Sequence, residues 1–204
     1  MSRTQASLFP PVFPHGMTYR ADFIDHDEER ALLKHIRALP LREAQYRQYT
    51  ARRRTVNYGL SYDFTHQKAN AAPPIPEFLA PLRTRVAQWA GVAPEDFVQA
   101  LIAEYAPGTP LGWHRDVPDF ELIVGISLGA PARIRFRPYP WKLERRKEVF
   151  ALELEPRSAY ILRDEARWGW QHSIPPTKEL RYSVTFRTAR QVGTTRRGGA
   201  LKQP

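Results

Sequence analysis

An imidazole and a carboxylate stand two residues apart in His114-Arg115-Asp116, just beyond the turn Pro107-Gly108-Thr109-Pro110. In an extended chain alternate residues face the same way, so His114 and Asp116 point into one space. They supply two of the three protein ligands of a 2-His-1-carboxylate facial triad, a set that suits Fe(II). A lone His-x-Asp also recurs by chance. A third candidate, His172, lies far along the chain in Trp168-Gly169-Trp170-Gln171-His172-Ser173-Ile174, and Arg181-Tyr182-Ser183-Val184-Thr185-Phe186-Arg187 follows it. Read as a strand, that run puts Arg181, Ser183, Thr185 and Arg187 on one face and Tyr182, Val184 and Phe186 on the other. Two arrangements fit. The polar face is the solvated side of an edge strand, or it lines an interior where the guanidinium groups meet an anion such as a dicarboxylate.

The elements that must position these residues fall into two halves. Leu32, Leu33, Ile36 and Leu39 keep a helical spacing from about Asp27 to Leu39, with Glu28 and Glu29 in the first turn and Pro40 as the stop. Phe78, Leu82, Val86 and Trp89 do the same from about Pro76 to Ala90, where Pro81 kinks the helix or delays its start and Gly91 follows the end. Beyond Phe97 the runs 98–105, 122–128, 132–137, 149–154, 158–162 and 182–188 read as short strands separated by Gly and Pro turns. Trp141–Glu148 reads as a charged hairpin end or loop. Helices first and many short strands later predict an α+β, mainly β fold: a sandwich, barrel or jelly roll with the N-terminal helices packed on one sheet.

Composition narrows the chemistry. A chain of 204 residues with 42% hydrophobic and 12% aromatic residues can bury the core of one ordinary domain. The absence of cysteine removes disulfides, thiolate nucleophiles, iron–sulfur clusters and Cys-based zinc sites, so a metal must be held by His, Asp or Glu. His15, His26, His35 and His66 lack ligand-like spacing and read as surface or packing residues. Trp113, Trp168 and Trp170 read as wall residues. No run approaches the ~18 apolar residues of a membrane helix, and Met1 to Ser7 has no apolar signal core, so a cytoplasmic protein with no membrane partner is expected. The net charge of +10, with 25 Arg and 6 Lys, favours a polyanion such as nucleic acid. It equally fits a compositional bias toward Arg.

Taken together, His114-x-Asp116, His172 and the Arg181-x-Ser183-x-Thr185-x-Arg187 run resemble the AlkB-like branch of the Fe(II)/2-oxoglutarate dioxygenases. So does the approach Ala103-Glu104-Tyr105-Ala106-Pro107-Gly108-x-x-Leu111. The resemblance covers roughly Ala51 to Thr188. It implies a double-stranded β-helix (jelly-roll) core over residues 98–188, within a single dioxygenase domain spanning 21–188. Residues 1–20 are then an N-terminal extension and 189–204 a basic tail. It also implies His114, Asp116 and His172 as the catalytic Fe(II) ligands, with 2-oxoglutarate and O2 as cosubstrates. Arg181 would pair with the distal carboxylate of 2-oxoglutarate and Tyr105 would hydrogen-bond the same molecule. Ser183 would line its pocket, and Arg187 would sit near the chelating carboxylate or the substrate. The family's Asn residues are replaced here by Ala103 and Ser183, which removes amide contacts around the cosubstrate.

Upstream, 51–66 resembles the family's nucleotide-recognition lid. Arg52, Arg53 and Arg54 suit phosphates, while Tyr58, Tyr62 and Phe64 offer faces for a displaced base. Arg53 is the lid residue expected nearest the site, and Tyr62 and Phe64 are the expected stacking pair. A surface loop anchored by its aromatics is the plainer reading. Asp119, behind Pro118, either contacts the alkylated base or makes a turn. The function implied is oxidative demethylation of alkylated bases in DNA or RNA by a monomeric enzyme, releasing formaldehyde, succinate and CO2. The same chemistry on a protein, a tRNA or a small molecule is the alternative. A metal-free β-domain that only binds nucleic acid is a third reading.

Overall fold

The computed structural model describes residues 13–46, 49–63 and 68–190. In chain order the elements are β1 (Met17–Arg20), α1 (His26–Arg37), β2 (Arg42–Tyr46), β3 (Tyr49–Tyr58), β4 (Leu60–Asp63), β5 (Lys68–Ala71) and α2 (Ala80–Ala90). They continue as β6 (Phe97–Tyr105), β7 (Leu111–His114), β8 (Phe120–Leu128), β9 (Ala132–Pro138), β10 (Phe150–Leu154), β11 (Ala159–Leu162), α3 (Asp164–Trp168), β12 (Trp170–Ile174) and β13 (Arg181–Ala189).

Two sheets face each other. The larger has the order β1-β11-β8-β13-β6-β3-β2 and the smaller β10-β9-β12-β7, all antiparallel, with β4 and β5 forming a separate pair. This is the expected double-stranded β-helix. Alternation along the central strands divides the interior into two cores. Ala100 and Ile102 of β6, Leu122, Val124, Ile126 and Leu128 of β8, and Tyr182, Val184 and Phe186 of β13 face the two helices. The opposite faces of these strands turn toward the smaller sheet, whose Ile134, Phe136, Leu154 and Ile174 pack there with Tyr105 and Ile123.

Helix α1 starts where the sequence supplies a reciprocal cap. The Asp25 carboxylate accepts from the Glu28 N–H (2.8 Å), and the Glu28 carboxylate accepts from the Asp25 N–H (3.0 Å). Its Leu32 and Ile36 enter the helix-side core, and Glu29 accepts from the N–H of Gly129 (2.9 Å) in the turn after β8. Helix α2 begins late because Pro81 occupies its first turn; a 3-10 turn, Glu77–Leu79, covers the preceding residues. Gly91 closes it with φ 72.

Several elements escape the sequence pattern. Residues 17–20, read as part of an extension, form edge strand β1 against β11. The stretch read as a lid enters the larger sheet as β3 and continues as β4. Strands β7 and β12 were not readable as strands, and the charged segment 143–148 is a 3-10 turn between β9 and β10. Phe64, His66 and the tail from 191 onward lie outside the described residues. Among the described residues no helix is long and apolar enough to cross a membrane.

Candidate metal centre

Strand β12 pairs antiparallel with β7, and the register sets His172 directly opposite His114. Cross-strand partners on one face are neighbours, so the two rings stand 4.3 Å apart between centroids. Asp116 follows two residues beyond His114, where β7 ends. One ligand atom from each of His114, Asp116 and His172 lies within 4.8 Å of the others, and His172 Nε2 is 3.8 Å from Asp116 Oδ2. His114 Nδ1 lies 2.9 Å from the Gly112 carbonyl, which can only accept, so Nδ1 carries the proton and Nε2 keeps its lone pair.

Electrostatics fix the protonation states. Burial pushes His172 down to about 3, with His114 adding to the push and Asp116 opposing it. Burial likewise lowers His114 against the pull of Asp116. For Asp116, burial alone would raise the carboxyl, but Arg187, then His172, His114 and Arg167, hold it well below the usual carboxylate range. At neutral pH the cluster is two neutral imidazoles and one carboxylate, a buried donor set with one negative charge and nitrogen and oxygen ligands. That combination attracts a divalent first-row cation.

Two arginines brace Asp116. Arg187 Nε (2.9 Å) and Nη2 (2.5 Å) both donate to Oδ1, which leaves Oδ2 on the side of His172. Arg187 Nη1 donates to Gln99 Oε1 (2.8 Å), and Gln99 Nε2 in turn donates to the Leu60 carbonyl (2.8 Å). Arg187 therefore meets a candidate ligand's carboxylate, where a contact to cosubstrate or substrate was expected of it. Buried Arg167 of α3 donates to the backbone carbonyls of Asp116 (3.2 Å), Val117 (2.7 Å) and Phe120 (2.8 Å), stapling the loop after β7.

A second polar end lies on the same inner face of the larger sheet. Arg181 is paired in register with Tyr105, and its guanidinium carbon is 4.9 Å from that ring's centre. Its side chain is 2% exposed; Nε donates to Ser127 Oγ (3.1 Å), while Nη1 is buried without a hydrogen-bond partner. No carboxylate among the described residues forms an ion pair with it. A buried guanidinium with an orphaned donor calls for an anion. Burial alone would raise the Tyr105 phenol, but Arg53 and Arg181, with hydrogen bonds to Arg53 and Ser183, hold it below its ordinary value. Between this end and the triad the floor is made of small side chains: Ala103, Ser127, Ser183 and Thr185, with Gly125.

The sequence-read residues thus assemble in part. His114, Asp116 and His172 converge, with Arg187 behind Asp116. Tyr105, Arg181, Ser183 and Arg53 gather at the second end. Arg54, on the opposite face of β3, forks onto Glu104 (2.7 and 2.9 Å) instead. Asp119 is exposed in the loop between β7 and β8. The backbone of Tyr62 is in β4, but its side chain and all of Phe64 fall outside what the structure describes. Sequence reasoning missed Gln99, Ser127 and Arg167. Only Arg167, a charged residue inside the Trp-rich approach to His172, left any local trace.

The donor set fits Fe(II), and the orphaned Arg181 nitrogen fits the distal carboxylate of a dicarboxylate cosubstrate. A family model described as the 2OG-Fe(II) oxygenase superfamily matches residues 16–196. The chain is 30% identical over 207 residues to the Arabidopsis thaliana "Alkylated DNA repair protein ALKBH8 homolog", covering 89% of this chain and 58% of that protein. It is 33% identical over 128 residues to the Escherichia coli (strain K12) "Alpha-ketoglutarate-dependent dioxygenase AlkB", covering 57% of each. The chain thus spans little more than half the length of these two relatives. The solved structure of OsALKBH1 superposes with a TM-score of 0.68 at 16% identity, covering 87% of this chain and 99% of that one, which supports the fold. With the His-Asp-His cluster already in place, these matches make the chain a member of the 2OG-Fe(II) oxygenase superfamily, in its AlkB-like branch, with Fe(II), 2-oxoglutarate and O2 as its cofactor and cosubstrates.

Proposed function

We propose that this oxygenase is an oxidative demethylase of alkylated bases in DNA or RNA. His114, Asp116 and His172 hold Fe(II), and Arg181 and Tyr105 take the distal carboxylate of 2-oxoglutarate. Ser183 sets the Tyr105 phenol, Arg187 fixes the Asp116 carboxylate, and Arg53 stands beside the pocket. The sequence adds Tyr62, Phe64 and Asp119 as contacts to the base. The bound iron, with 2-oxoglutarate and O2, supplies the oxidation: an N-methyl group becomes N-hydroxymethyl and leaves as formaldehyde, while the cosubstrate becomes succinate and CO2. The chain's own part is to orient and to exclude solvent. A base in a duplex must leave its stack to enter, so single strands or flipped bases are the expected substrates.

The nucleic-acid half of this reading is carried by where the unpaired positive charge sits. Arg133, Arg135 and Arg137 alternate along β9 on the face opposite buried Ile134 and Phe136. Arg135 Nε donates to Ser173 Oγ (3.1 Å) and Arg137 Nε to Gln171 Oε1 (2.8 Å), both neutral partners on β12. Their guanidinium carbons lie 5.1 and 4.5 Å from the Trp113 ring centre, and Arg115 lies 3.6 Å from that of Tyr139. Among the described residues no acid forms an ion pair with Arg115, Arg133, Arg135 or Arg137. Arg115, Arg135 and Arg137, held by neutral acceptors against aromatic rings, keep their charge for a phosphate backbone. The partners of these arginines share strands with the candidate ligands: Trp113 adjoins His114 on β7, and Gln171 adjoins His172 on β12, the strand that pairs with β9. The name of the Arabidopsis relative, an alkylated-DNA repair protein, supports the same reading.

The test is demethylation of oligonucleotides carrying 1-methyladenine or 3-methylcytosine, in DNA and in RNA, followed by mass spectrometry. Loss of one methyl group, with equimolar succinate and formaldehyde and dependence on iron and 2-oxoglutarate, is expected. Uncoupled succinate production with no change in any oligonucleotide would overturn the nucleic-acid substrate and leave the oxygenase.

A further inference from the structure

Besides the orphaned Arg181 Nη1, Tyr160 brings a second unused donor to this interior. Strand β11 lies beside β8, with Tyr160 directly opposite Gly125, and Gly125 in turn faces Thr185 of β13. Gly125 sits between Ile123 and Ser127 on the inner side of β8, the side that carries the Ser127 contact to Arg181. A Cβ at Gly125 would lie 2.4 Å from Tyr160 Cζ and 2.6 Å from its hydroxyl oxygen. The oxygen-bearing end of the ring therefore lies over the glycine, on the floor of small side chains. Gly125 needs no unusual φ, so what its missing side chain provides is space.

The charges that act on the Tyr160 phenol come from both ends of the interior: Asp116 and Arg187 at the metal centre, Arg181 and Tyr105 at the other. Burial, joined by Asp116, pushes the phenol well above its ordinary value, so the hydroxyl keeps its proton across the working pH range. The neighbouring donors are engaged: Ser127 with Arg181, Ser183 with Tyr105 and Arg187 with Asp116. The half-buried Tyr160 has no hydrogen-bond partner for its hydroxyl among the described residues, so its proton is open to an acceptor that enters this interior.

We propose that Tyr160 donates a hydrogen bond to bound 2-oxoglutarate, as a cosubstrate-positioning residue beside Arg181 and Tyr105, and that Gly125 exists to seat it. The inference rests on reading Arg181 as the anchor of the distal carboxylate, and the variants separate the two. Calorimetric titration with Mn(II) in place of iron, under nitrogen, measures 2-oxoglutarate binding without turnover. Tyr160→Phe keeps the ring and removes only the hydroxyl. It should raise the dissociation constant of 2-oxoglutarate about tenfold, the scale of one hydrogen bond to a charged acceptor. Mn(II) affinity and melting temperature should stay at the wild-type values. Gly125→Ala, which displaces the ring, should weaken 2-oxoglutarate binding further. Arg181→Gln should lose it nearly completely. Wild-type affinity in Tyr160→Phe, with binding lost in Arg181→Gln, would overturn the role of Tyr160 alone. Equal losses of Mn(II) and 2-oxoglutarate affinity in Tyr160→Phe would make it a packing residue and also overturn the proposal. Wild-type binding in Arg181→Gln would overturn the anchor.

Discussion

His172 holds a proton far less readily than a free imidazole, because burial and His114 push it down to about 3. Its value in the unfolded chain is about 6.5. Between those two values the unfolded chain binds a proton that the folded chain refuses, so unfolding is favoured as pH falls through that window. The contribution is fully present above about 6.5. Asp116, also depressed, adds a loss at lower pH, below its unfolded value near 4. The metal-free protein is therefore expected to lose melting temperature steadily from pH 7 to pH 4, and His172→Gln to lose less over the same interval. Parallel slopes for the two proteins would contradict the buried neutral imidazole. At this scale much of the site was legible in the sequence, because strand alternation puts His114 with Asp116 and Arg181 with Ser183, Thr185 and Arg187. What sequence could not give were partners chosen by register: Gln99 meets Arg187 from 88 residues away, and Ser127 meets Arg181 from 54. It also left open whether the Arg181 face was wetted or enclosed, a question settled by the smaller sheet covering it.

Among the elements, α3 has an influence out of proportion to its five residues. Its Arg167 satisfies three carbonyls of the loop that carries Asp116, so the metal centre depends on a helix that supplies no ligand. Arg167→Met should leave those carbonyls unsatisfied, at about 1–3 kcal/mol, and loosen the Asp116 backbone. Both melting temperature and Mn(II) affinity should fall. Asp25→Ala is the matched control: losing the α1 cap costs about 1 kcal/mol, far from the loop, and should lower the melting temperature with metal affinity unchanged. If the two variants affect metal binding alike, Arg167 contributes stability only. Helices α1 and α2 and the six apolar strands were readable because each sends one apolar face into a core, β6, β8, β11 and β13 against the helices and β9 and β10 between the two sheets. β3 was obscured because its arginines read as a recognition loop. In the sheet, alternation sends Arg53 toward Tyr105 and Arg54 toward Glu104. β7 and β12 were obscured because they are short and built around His114 and His172 with Gly, Trp, Gln and Ser, leaving one aliphatic position in each to mark a strand.

Across the whole molecule, the two sheets divide the labour. The larger carries the helices on one face and the Arg181 end on the other. The smaller carries His114 and His172 inward, with Trp113, Gln171 and the β9 arginines outward. The arginines behind the net charge of +10 differ in their partners. Arg54, Arg85, Arg145, Arg157 and Arg187 are matched by acids, whereas Arg115, Arg133, Arg135 and Arg137 are not. If a nucleic-acid strand tracks that outer face, its affinity includes the release of counterions from the phosphates these arginines neutralise, and each contact steepens the salt dependence by about one unit of slope. The double variant Arg135→Gln, Arg137→Gln keeps side chains able to reach Ser173 and Gln171 while removing two charges. Oligonucleotide binding measured by anisotropy between low and physiological salt should then weaken at every sequence, and the log–log slope should fall by about two. Turnover of a free methylated nucleoside, which has no flanking phosphates to hold, should be unchanged. An unaltered slope with intact oligonucleotide binding would move the phosphate track away from this sheet, leaving Arg52 and Arg53 of β3 as the next cations to test.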